Sequence, residues 1–309
     1  MWRCTGLGWG QGGPEWTWWH PVHRGRSSPL RLGGPLSLAV GADAVRTCAG
    51  VWRGGRYVTC PYAAQLPPDV RRDQCERCAA LDRSYSVAAD TKADDPRPYA
   101  VYLAWFGPGL LKVGITAAER GAARLREQAA VCFTFLGEGP LMTARRTEAI
   151  LGSALGVPDR VSAPAKRAAR HALPDAEARA AELRGLHASV AGLLPDTLRA
   201  RPCEVVDHAV LFGLSPGQLP PPAARITALP PGSTVTGTVR AAAGYDVYVR
   251  VSEPEASSLP EGAEGSGRLL LLDTRLAQGW SLLRPPYGAP TDVPTAVTAP
   301  TKEAPPPLF

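Results

Sequence analysis

The sequence predicts a mixed α+β protein, and three patterns along its 309 residues support that prediction. Alternating apolar residues near both ends of the chain indicate short β-strands. The middle of the chain switches between strand-like and helix-like periodicity, which is typical of a small α+β unit. Four cysteines lie between the first β-rich stretch and this middle unit. A chain of this length has room for two or three small domains.

The composition is that of a folded protein with an excess of positive charge. Hydrophobic residues make up 45% of the chain, which is enough to form packed cores. Lys and Arg exceed Asp and Glu by 34 − 28 = +6. This charge favours an anionic partner, nucleic acid before an anionic membrane, although a soluble protein without such a partner can be equally basic.

The sequence also predicts where the protein is found. It has no run of about 18 apolar residues, so we expect no membrane span and no membrane partner. Its first residues lack the apolar segment of a secretory signal. Seven cysteines are an odd number, which argues against a disulfide framework. We therefore expect a cytoplasmic protein with reduced thiols.

The first region, residues 1–98, is predicted to be rich in β-structure. Trp9, Trp16, Trp18 and Trp19 flank a Gly-Gly-Pro turn, and leucines alternate with smaller residues over positions 30–40. This pattern predicts short strands and hairpins. The tryptophans fit the core of a small β unit, with a base-stacking surface as the alternative.

The same region contains a candidate metal site at Cys48, Cys60, Cys75 and Cys78. Two thiolates separated by two residues can hold one side of a tetrahedral Zn²⁺, and four thiolates leave no open position, so we predict structural zinc. Few apolar residues surround these cysteines, and a metal would supply folding energy that the core cannot. Buried free thiols and a redox pair are the alternatives.

The central region, 99–215, is predicted to begin with a ββαβα unit. We expect strands over 99–105, 111–116 and 132–137, and helices over 118–130 and 141–155. A Gly-Pro-Gly turn joins the first two strands, and Thr116 with Glu119 fits a capping box for the first helix. A helical extension follows, which Pro174 breaks into two helices and in which Asp175 can cap the second. A strand is expected over 203–212.

The remaining chain is predicted to contain three segments. Residues 216–231 are rich in proline and indicate a linker. Residues 232–284 return to strand periodicity and predict a small β-barrel or meander. Residues 285–309 are again rich in proline, and we expect a disordered tail.

Two motifs in the central unit resemble the paired strands of the GIY-YIG nucleases. Tyr99-Ala-Val-Tyr102 looks like the first strand, and Lys112-Val113-Gly114 looks like the second. Arg124-Leu125 is similar to the motif of that family's first helix, and Glu148 lies where the family places its metal-binding glutamate. The resemblance therefore implies an active site that combines residues from strands and helices.

The resemblance implies a role for each matching residue. Tyr102 would help to deprotonate the nucleophile, Arg124 would stabilise charge on the phosphate, and Glu148 would hold one Mg²⁺ or Mn²⁺. Lys112 replaces the second tyrosine of the family. Arg120 is a rival to Arg124, because the spacing from the second strand is longer than in the family.

Each of these residues also has a structural alternative. Tyr102 fits a core position in a strand, and the arginines fit the solvated side of a helix. Glu148 fits an ion pair with Arg145 three residues earlier. Gln128 departs from the family pattern, which often has a histidine there. These departures leave open whether the unit cleaves nucleic acid or only binds it.

The whole chain also resembles an uncharacterised bacterial domain family, in which a cysteine-containing region precedes a GIY-YIG-like unit and a sequence like 155–161 follows. We therefore expect a protein that binds DNA or RNA, with metal-dependent phosphodiester cleavage as the further activity that the nuclease resemblance implies. Basic residues of the helical extension, Arg160, Lys166, Arg167 and Arg170, would extend the phosphate-binding surface. The alternative is a non-catalytic zinc-containing interaction protein that uses the central unit as a scaffold.

Overall fold

The computed structural model describes residues 1–53, 56–84, 95–158, 160–215, 217, 219–252, 267–286 and 288–298, and it is mixed α+β and rich in sheet. The strands are β1 (Arg3–Gly10), β2 (Gly13–His20), β3 (Arg24–Pro29), β4 (Pro35–Val40), β5 (Val51–Arg53), β6 (Arg56–Val58), β7 (Tyr99–Gly107), β8 (Leu110–Ala117), β9 (Cys132–Gly139), β10 (Arg199–Ala200), β11 (Val206–Asp207), β12 (Ala224–Ile226), β13 (Thr234–Ala243), β14 (Asp246–Val251), β15 (Arg268–Asp273), β16 (Leu282–Leu283) and β17 (Thr295–Val297). The helices are α1 (Glu76–Ser84), α2 (Ala123–Glu127), α3 (Leu141–Leu155), α4 (Ala163–Ala169), α5 (Ala176–Val190) and α6 (Ala209–Phe212). None of these helices, which all lie in the described ranges, has the length and apolar character that crossing a bilayer requires.

The N-terminal residues form the short hairpins that the sequence predicts. β1, β2 and β3 pair in order as an antiparallel sheet. Trp9 and Trp16 are buried, whereas Trp18 and Trp19 are half-buried. The Trp9 indole N–H donates to the carbonyl oxygen of Gly244 at 3.0 Å. The buried tryptophans therefore serve the core, and one of them joins the N-terminal sheet to the turn between β13 and β14.

The largest sheet combines strands from both ends of the chain in the order β16-β4-β13-β14-β15-β12-β17. β13, β14 and β15 form the predicted meander, but the described strands leave the sheet open, so the predicted barrel alternative is wrong. β4 pairs with β13, which places a strand of the predicted N-terminal region in the C-terminal sheet. Leu36, Leu38 and Val40 are buried by this pairing, and their burial stabilises it.

Three predictions for the second half of the chain need correction. The predicted linker contains β12, whose alternate residues Ala224 and Ile226 are buried. The predicted disordered tail contains β17, which pairs with β12, while 299–309 lie outside the described residues. The strand expected over 203–212 is reduced to β11, and α6 follows it. These segments are too short to show a readable periodicity, and only tertiary pairing defines them.

The central sheet has the order β10-β9-β7-β8, with β11 also paired to β9. The three strands and the helix over 141–155 match the sequence prediction. The expected helix over 118–130 is instead a 3-10 turn followed by α2. Thr116 lies within β8, so the predicted capping box does not form. Asp175 does cap α5, because its side chain accepts a hydrogen bond from the N–H of Ala178 at 2.8 Å.

The two faces of the central sheet have different environments. Alternate residues of β7, including Val101, Leu103 and Trp105, belong to the main core, which also contains buried residues of α3 and α5. Tyr102, Ala104 and Phe106 point to the opposite side and pack with Leu125 of α2 and Phe133 of β9. We call this second side the Tyr102 face.

A buried arginine connects the cysteine-rich segment to the C-terminal region. Arg46 is 1% exposed, and its guanidinium donates to five backbone carbonyl groups. Its partners are Pro67, Val70, Arg72, Arg275 and Gln278. All five N–H groups of the side chain are used in this way. The loop that carries Cys75 is thus fixed against the end of the large sheet.

Candidate functional site

The four cysteines that the sequence singles out come together around the β5–β6 hairpin. Cys48 precedes β5, Cys60 follows β6, Cys75 precedes α1 and Cys78 lies in its first turn. Their sulfur atoms all lie within 4.8 Å of one another. Two hairpin ends and one helix start therefore supply a complete set of four thiol ligands.

The spacing of the sulfur atoms fits a tetrahedral metal ion. Zn–S bonds of about 2.3 Å place the sulfurs of a tetrahedral site about 3.8 Å apart, and Cys60 Sγ lies 3.9 Å from Cys75 Sγ. A disulfide would require an S–S distance of about 2.05 Å, and all four cysteines are free. The four cysteines could therefore hold a metal such as zinc.

The local environment acts differently on the thiols: burial raises the pKa of Cys48 and Cys78, and backbone N–H groups oppose the increase at Cys48. The N–H groups of Gly50 and Cys75 donate to Cys48 Sγ at 3.4 and 3.2 Å. The backbone N–H of Cys78 lowers the pKa of the Cys75 thiol to about 7. Gly50 has a φ of +76°, and a Cβ at this position would overlap the carbonyl oxygen of Val58. A glycine is needed here because a side chain would be strained at this φ and would collide with the backbone of the neighbouring strand.

The residues named by the nuclease resemblance surround Tyr102. The Tyr102 hydroxyl is buried and accepts a hydrogen bond from Gln128 Nε2 at 2.8 Å. Burial raises the pKa of this phenol, Glu148 adds to the increase, and Gln128, Arg124 and Arg120 oppose it. Tyr102, Arg120, Arg124 and Glu148 therefore share one electrostatic neighbourhood.

Both candidate arginines make an ion pair with a residue that sequence reasoning missed. Arg120 Nη2 contacts the two carboxylate oxygens of Glu127 at 2.7 and 2.8 Å. Arg124 Nη1 lies 3.5 Å from the same carboxylate. The i,i+3 spacing of Arg124 and Glu127 in the sequence is enough to predict one of these two ion pairs. The Glu127 carboxylate therefore contacts two partly exposed guanidinium groups, one from the 3-10 turn and one from α2.

Two lysines extend this cationic group across the Tyr102 face. Lys112 lies opposite Ala104 in the β7–β8 register, so both residues share that face. Lys166 of α4 donates from Nζ to the carbonyl oxygen of Gln128 at 3.0 Å and lies 3.8 Å from the Phe106 ring centroid. Burial, followed by the charges of Arg170 and Lys112, lowers the pKa of Lys166 to about 8.

The other basic residues of the helical extension have different roles. Arg160 is exposed, but Arg167 and Arg170 form a largely buried ion-pair network with two aspartates. Arg167 pairs with Asp246 at 2.5 Å and with Asp273 at 3.2 Å, and Arg170 pairs with Asp246 at 2.6 Å. The expectation that Arg167 and Arg170 extend a phosphate-binding surface is therefore wrong. These arginines instead bind α4 to the large sheet.

A glycine on β8 allows the position of the Tyr102 ring. Gly114 lies directly opposite Tyr102 in the β7–β8 register. A Cβ at Gly114 would overlap the hydroxyl and the ring carbons of Tyr102, including Cε2 at 2.7 Å. Gly114 is therefore required for packing against the Tyr102 ring, independently of any role in binding or cleavage.

Gly114→Ala is expected to destabilise the protein by roughly 1–3 kcal/mol, because the added methyl must displace a buried ring. Urea denaturation would measure the change in the free energy of unfolding. In a Tyr102→Leu background the same substitution should cost much less, since the clash is gone. Additive effects in this double-mutant cycle would show that the two positions are not coupled.

A comparison with known families finds a match. A family described as "Protein of unknown function (DUF2797)" matches residues 46–251 of the chain. The matched range contains the four cysteines, the central sheet and β12, β13 and β14 of the large sheet, but it excludes β1 to β4 and β15 to β17. Searches of curated proteins and of solved structures found no match.

Proposed function

The chain belongs to the DUF2797 family, which is described as being of unknown function, and from its own residues we propose that it is a zinc-containing nucleic-acid-binding protein. The partly exposed Arg120 and Arg124, beside the buried residues of the Tyr102 face, would contact the phosphate backbone. The four cysteines would hold one structural Zn²⁺, since four thiolates complete its coordination and leave no position for a substrate. The zinc would stabilise the segment around β5, β6 and α1.

The observation that carries this proposal is the convergence of cations around Tyr102. Lys112, Lys166, Arg120 and Arg124 gather near two carboxylates, Glu127 and Glu148, so positive charge is in excess. The low pKa of Lys166 reflects both burial and its cationic neighbours. An anion at this face would relieve that repulsion, and a phosphate offers several strong acceptor oxygens. The likeness of the two strand motifs to those of GIY-YIG nucleases favours a phosphodiester over free phosphate.

Cleavage is the second candidate function, because Glu148 shares the electrostatic neighbourhood of Tyr102 and Arg124. Mg²⁺ or Mn²⁺ can be held by one carboxylate together with substrate phosphates, and it would supply Lewis-acid stabilisation of charge. The pKa of Tyr102 is raised and its oxygen already accepts a hydrogen bond from Gln128. A phenol whose pKa is raised stays protonated at neutral pH and cannot take a proton from the nucleophile, which supports binding over cleavage.

The binding proposal predicts a specific loss in the Arg120→Gln/Arg124→Gln variant. Its affinity for labelled DNA and RNA should fall about tenfold or more, and the slope of log affinity against log salt should decrease by about 1–2. Fluorescence anisotropy at several salt concentrations would measure both quantities. Arg184→Gln is a matched control, because Arg184 is an exposed arginine that pairs with Glu177 on α5.

Binding and cleavage assays on the wild type, the double variant and Glu148→Gln distinguish the binding, nuclease and scaffold functions. A wild-type protein that retards no nucleic acid would contradict the proposal and favour the interaction-scaffold alternative. An unchanged salt slope in the double variant would show that the binding site lies elsewhere than at the Tyr102 face. Cleavage in Mg²⁺ or Mn²⁺ that disappears in Glu148→Gln, with binding retained, would establish the nuclease activity.

A further inference from the structure

The positive charge of the protein is concentrated at its N-terminal end. Residues 1–60 contain seven arginines and two acidic residues, so they carry 7 − 2 = +5 of the net charge of +6. Six of the eight tryptophans lie in the same stretch. Most of this stretch precedes residue 46, where the family match begins. The arginine- and tryptophan-rich end is thus largely separate from the region that contains the Tyr102 face.

Two groups of aromatic rings lie at one end of the N-terminal sheet. In the first group, the Trp2 ring lies 5.2 Å from that of His20 and 6.1 Å from that of His23, with Arg26 over it at 4.1 Å. His23 and Arg26 are exposed. These residues come from the start of β1, the end of β2 and the beginning of β3. The group therefore combines stacking rings with an exposed cation.

The second group continues from the same end of β2 onto the hairpin of the metal centre. The Tyr57 ring lies 4.5 Å from that of Trp19 and 5.6 Å from that of Trp52. Arg24 lies over Trp19 at 5.8 Å. Trp52 is 62% exposed, so most of its ring faces solvent. We call the two groups together the aromatic–arginine edge.

Part of this arrangement stays exposed to solvent. The N-terminal sheet buries Trp9 and Trp16 in its core, whereas Trp52 and the arginines of β3 remain accessible. Of the two acidic residues in the stretch, Glu15 lies opposite Pro29 at the far end of β3, and Asp43 follows β4. Positive charge at the edge is therefore weakly balanced by the acidic residues of this stretch.

We propose that the aromatic–arginine edge binds single-stranded nucleic acid. Every base offers a ring face for stacking on an aromatic side chain, and arginines can contact the phosphates between stacked bases. An exposed ring such as Trp52 can be reached by the unpaired bases of a single strand but not by the stacked bases of a duplex. The proposal adds a second contact region to the proposed function and names the ligand as a single strand.

The edge is distinct from the Tyr102 face. The far end of β1 contacts α2, because Arg126 Nη1 donates to the carbonyl oxygen of Gly10. The aromatic–arginine edge lies at the other end of this eight-residue strand, about 25 Å away by the usual rise per residue. A ligand that contacts both regions must be several nucleotides long, and each region can be tested separately.

The test uses the full-length, zinc-replete protein and fluorescein-labelled oligothymidylate. Trp52→Ala should weaken binding about tenfold, and Trp52→Phe should retain most of the affinity. Arg24→Gln/Arg26→Gln should reduce the salt slope by about 1–2. Arg184→Gln should leave both quantities unchanged. Trp52 is exposed, so the thermal unfolding temperature of its variants should stay close to that of the wild type.

The outcomes separate this proposal from the proposed function. Wild-type affinity in both Trp52→Ala and Arg24→Gln/Arg26→Gln would overturn the edge proposal, even if the Arg120→Gln/Arg124→Gln variant binds weakly. Sensitivity to the edge variants alone would support the edge and count against the Tyr102 face. Binding to phosphatidylserine vesicles without binding to oligothymidylate would also overturn the edge proposal, because it would identify the partner as a membrane surface.

Discussion

Replacing Cys78 by serine is expected to abolish metal binding and to unfold the segment around β5, β6 and α1. The small core of this segment consists of Cys48, Val51, Cys60 and Cys78, with Ala64 and Cys75 packed against them. Most of its members are the proposed metal ligands, so little apolar packing remains when the metal is lost. Structural zinc contributes roughly 10–16 kcal/mol of apparent binding free energy in small zinc-dependent units.

Metal analysis and calorimetry would test this expectation. Wild-type protein should contain close to one zinc per chain, and Cys78→Ser should contain almost none and show an earlier unfolding transition. A strong chelator should reproduce the effect in wild-type protein. Cys203→Ser is the matched control, because Cys203 lies outside the cluster and is only half-buried. Metal-free wild-type protein with full stability would exclude a structural metal.

Replacing Asp246 by asparagine is expected to destabilise the protein by about 3–5 kcal/mol, because it removes the carboxylate paired with the buried Arg170 and leaves Arg167 with Asp273. Asp246 receives hydrogen bonds from both Arg167 and Arg170. Denaturant unfolding would measure the loss. Glu177→Gln removes the exposed partner of Arg184 and should cost less than about 1 kcal/mol. Equal costs for the two substitutions would show that burial does not strengthen the network.

The same aspartate should make stability depend on pH. Burial alone would raise the pKa of Asp246, but Arg170 and Arg167 outweigh burial and hold the pKa below its ordinary value of 3.8. A carboxylate with a lowered pKa in the folded state stabilises that state above its ordinary pKa. This contribution is lost as the pH falls through the lower folded value. The unfolding temperature of wild type should therefore fall more steeply than that of Asp246→Asn as the pH is lowered from about 5 to below 3.8.

Local sequence patterns are sufficient to predict the three strands of the central unit and the cluster of four cysteines. The β7–β8 hairpin follows from apolar runs on both sides of a Gly-Pro-Gly turn, and the four cysteines stand out by residue type. Asp175 was recognised as a helix cap because capping depends on neighbouring residues only. In each case the determining interactions lie close together in the sequence or involve a distinctive side chain.

The remaining features depend on contacts that no local pattern records. The pairing of Arg120 with Glu127 crosses the break between a 3-10 turn and α2. Arg167 and Arg170 look like solvated helix residues in sequence, and only the approach of Asp246 from another sheet buries them. The prolines near the end of the chain predict disorder where the structure has β17, and the strand that pairs with β17 lies in the predicted linker. Tertiary contacts override local propensity at all of these positions.

The pairing of β4 with β13 has a consequence for how the protein is made. Leu38 pairs with Val235, which is 235 − 38 = 197 positions later in the chain. At a synthesis rate of about 5–20 residues per second, β4 leaves the ribosome roughly 10–40 seconds before its partner. During that interval an apolar strand edge is exposed, which is a condition that promotes aggregation. Folding should therefore be slow and largely post-translational, and chains that stop before β13 should accumulate as insoluble protein.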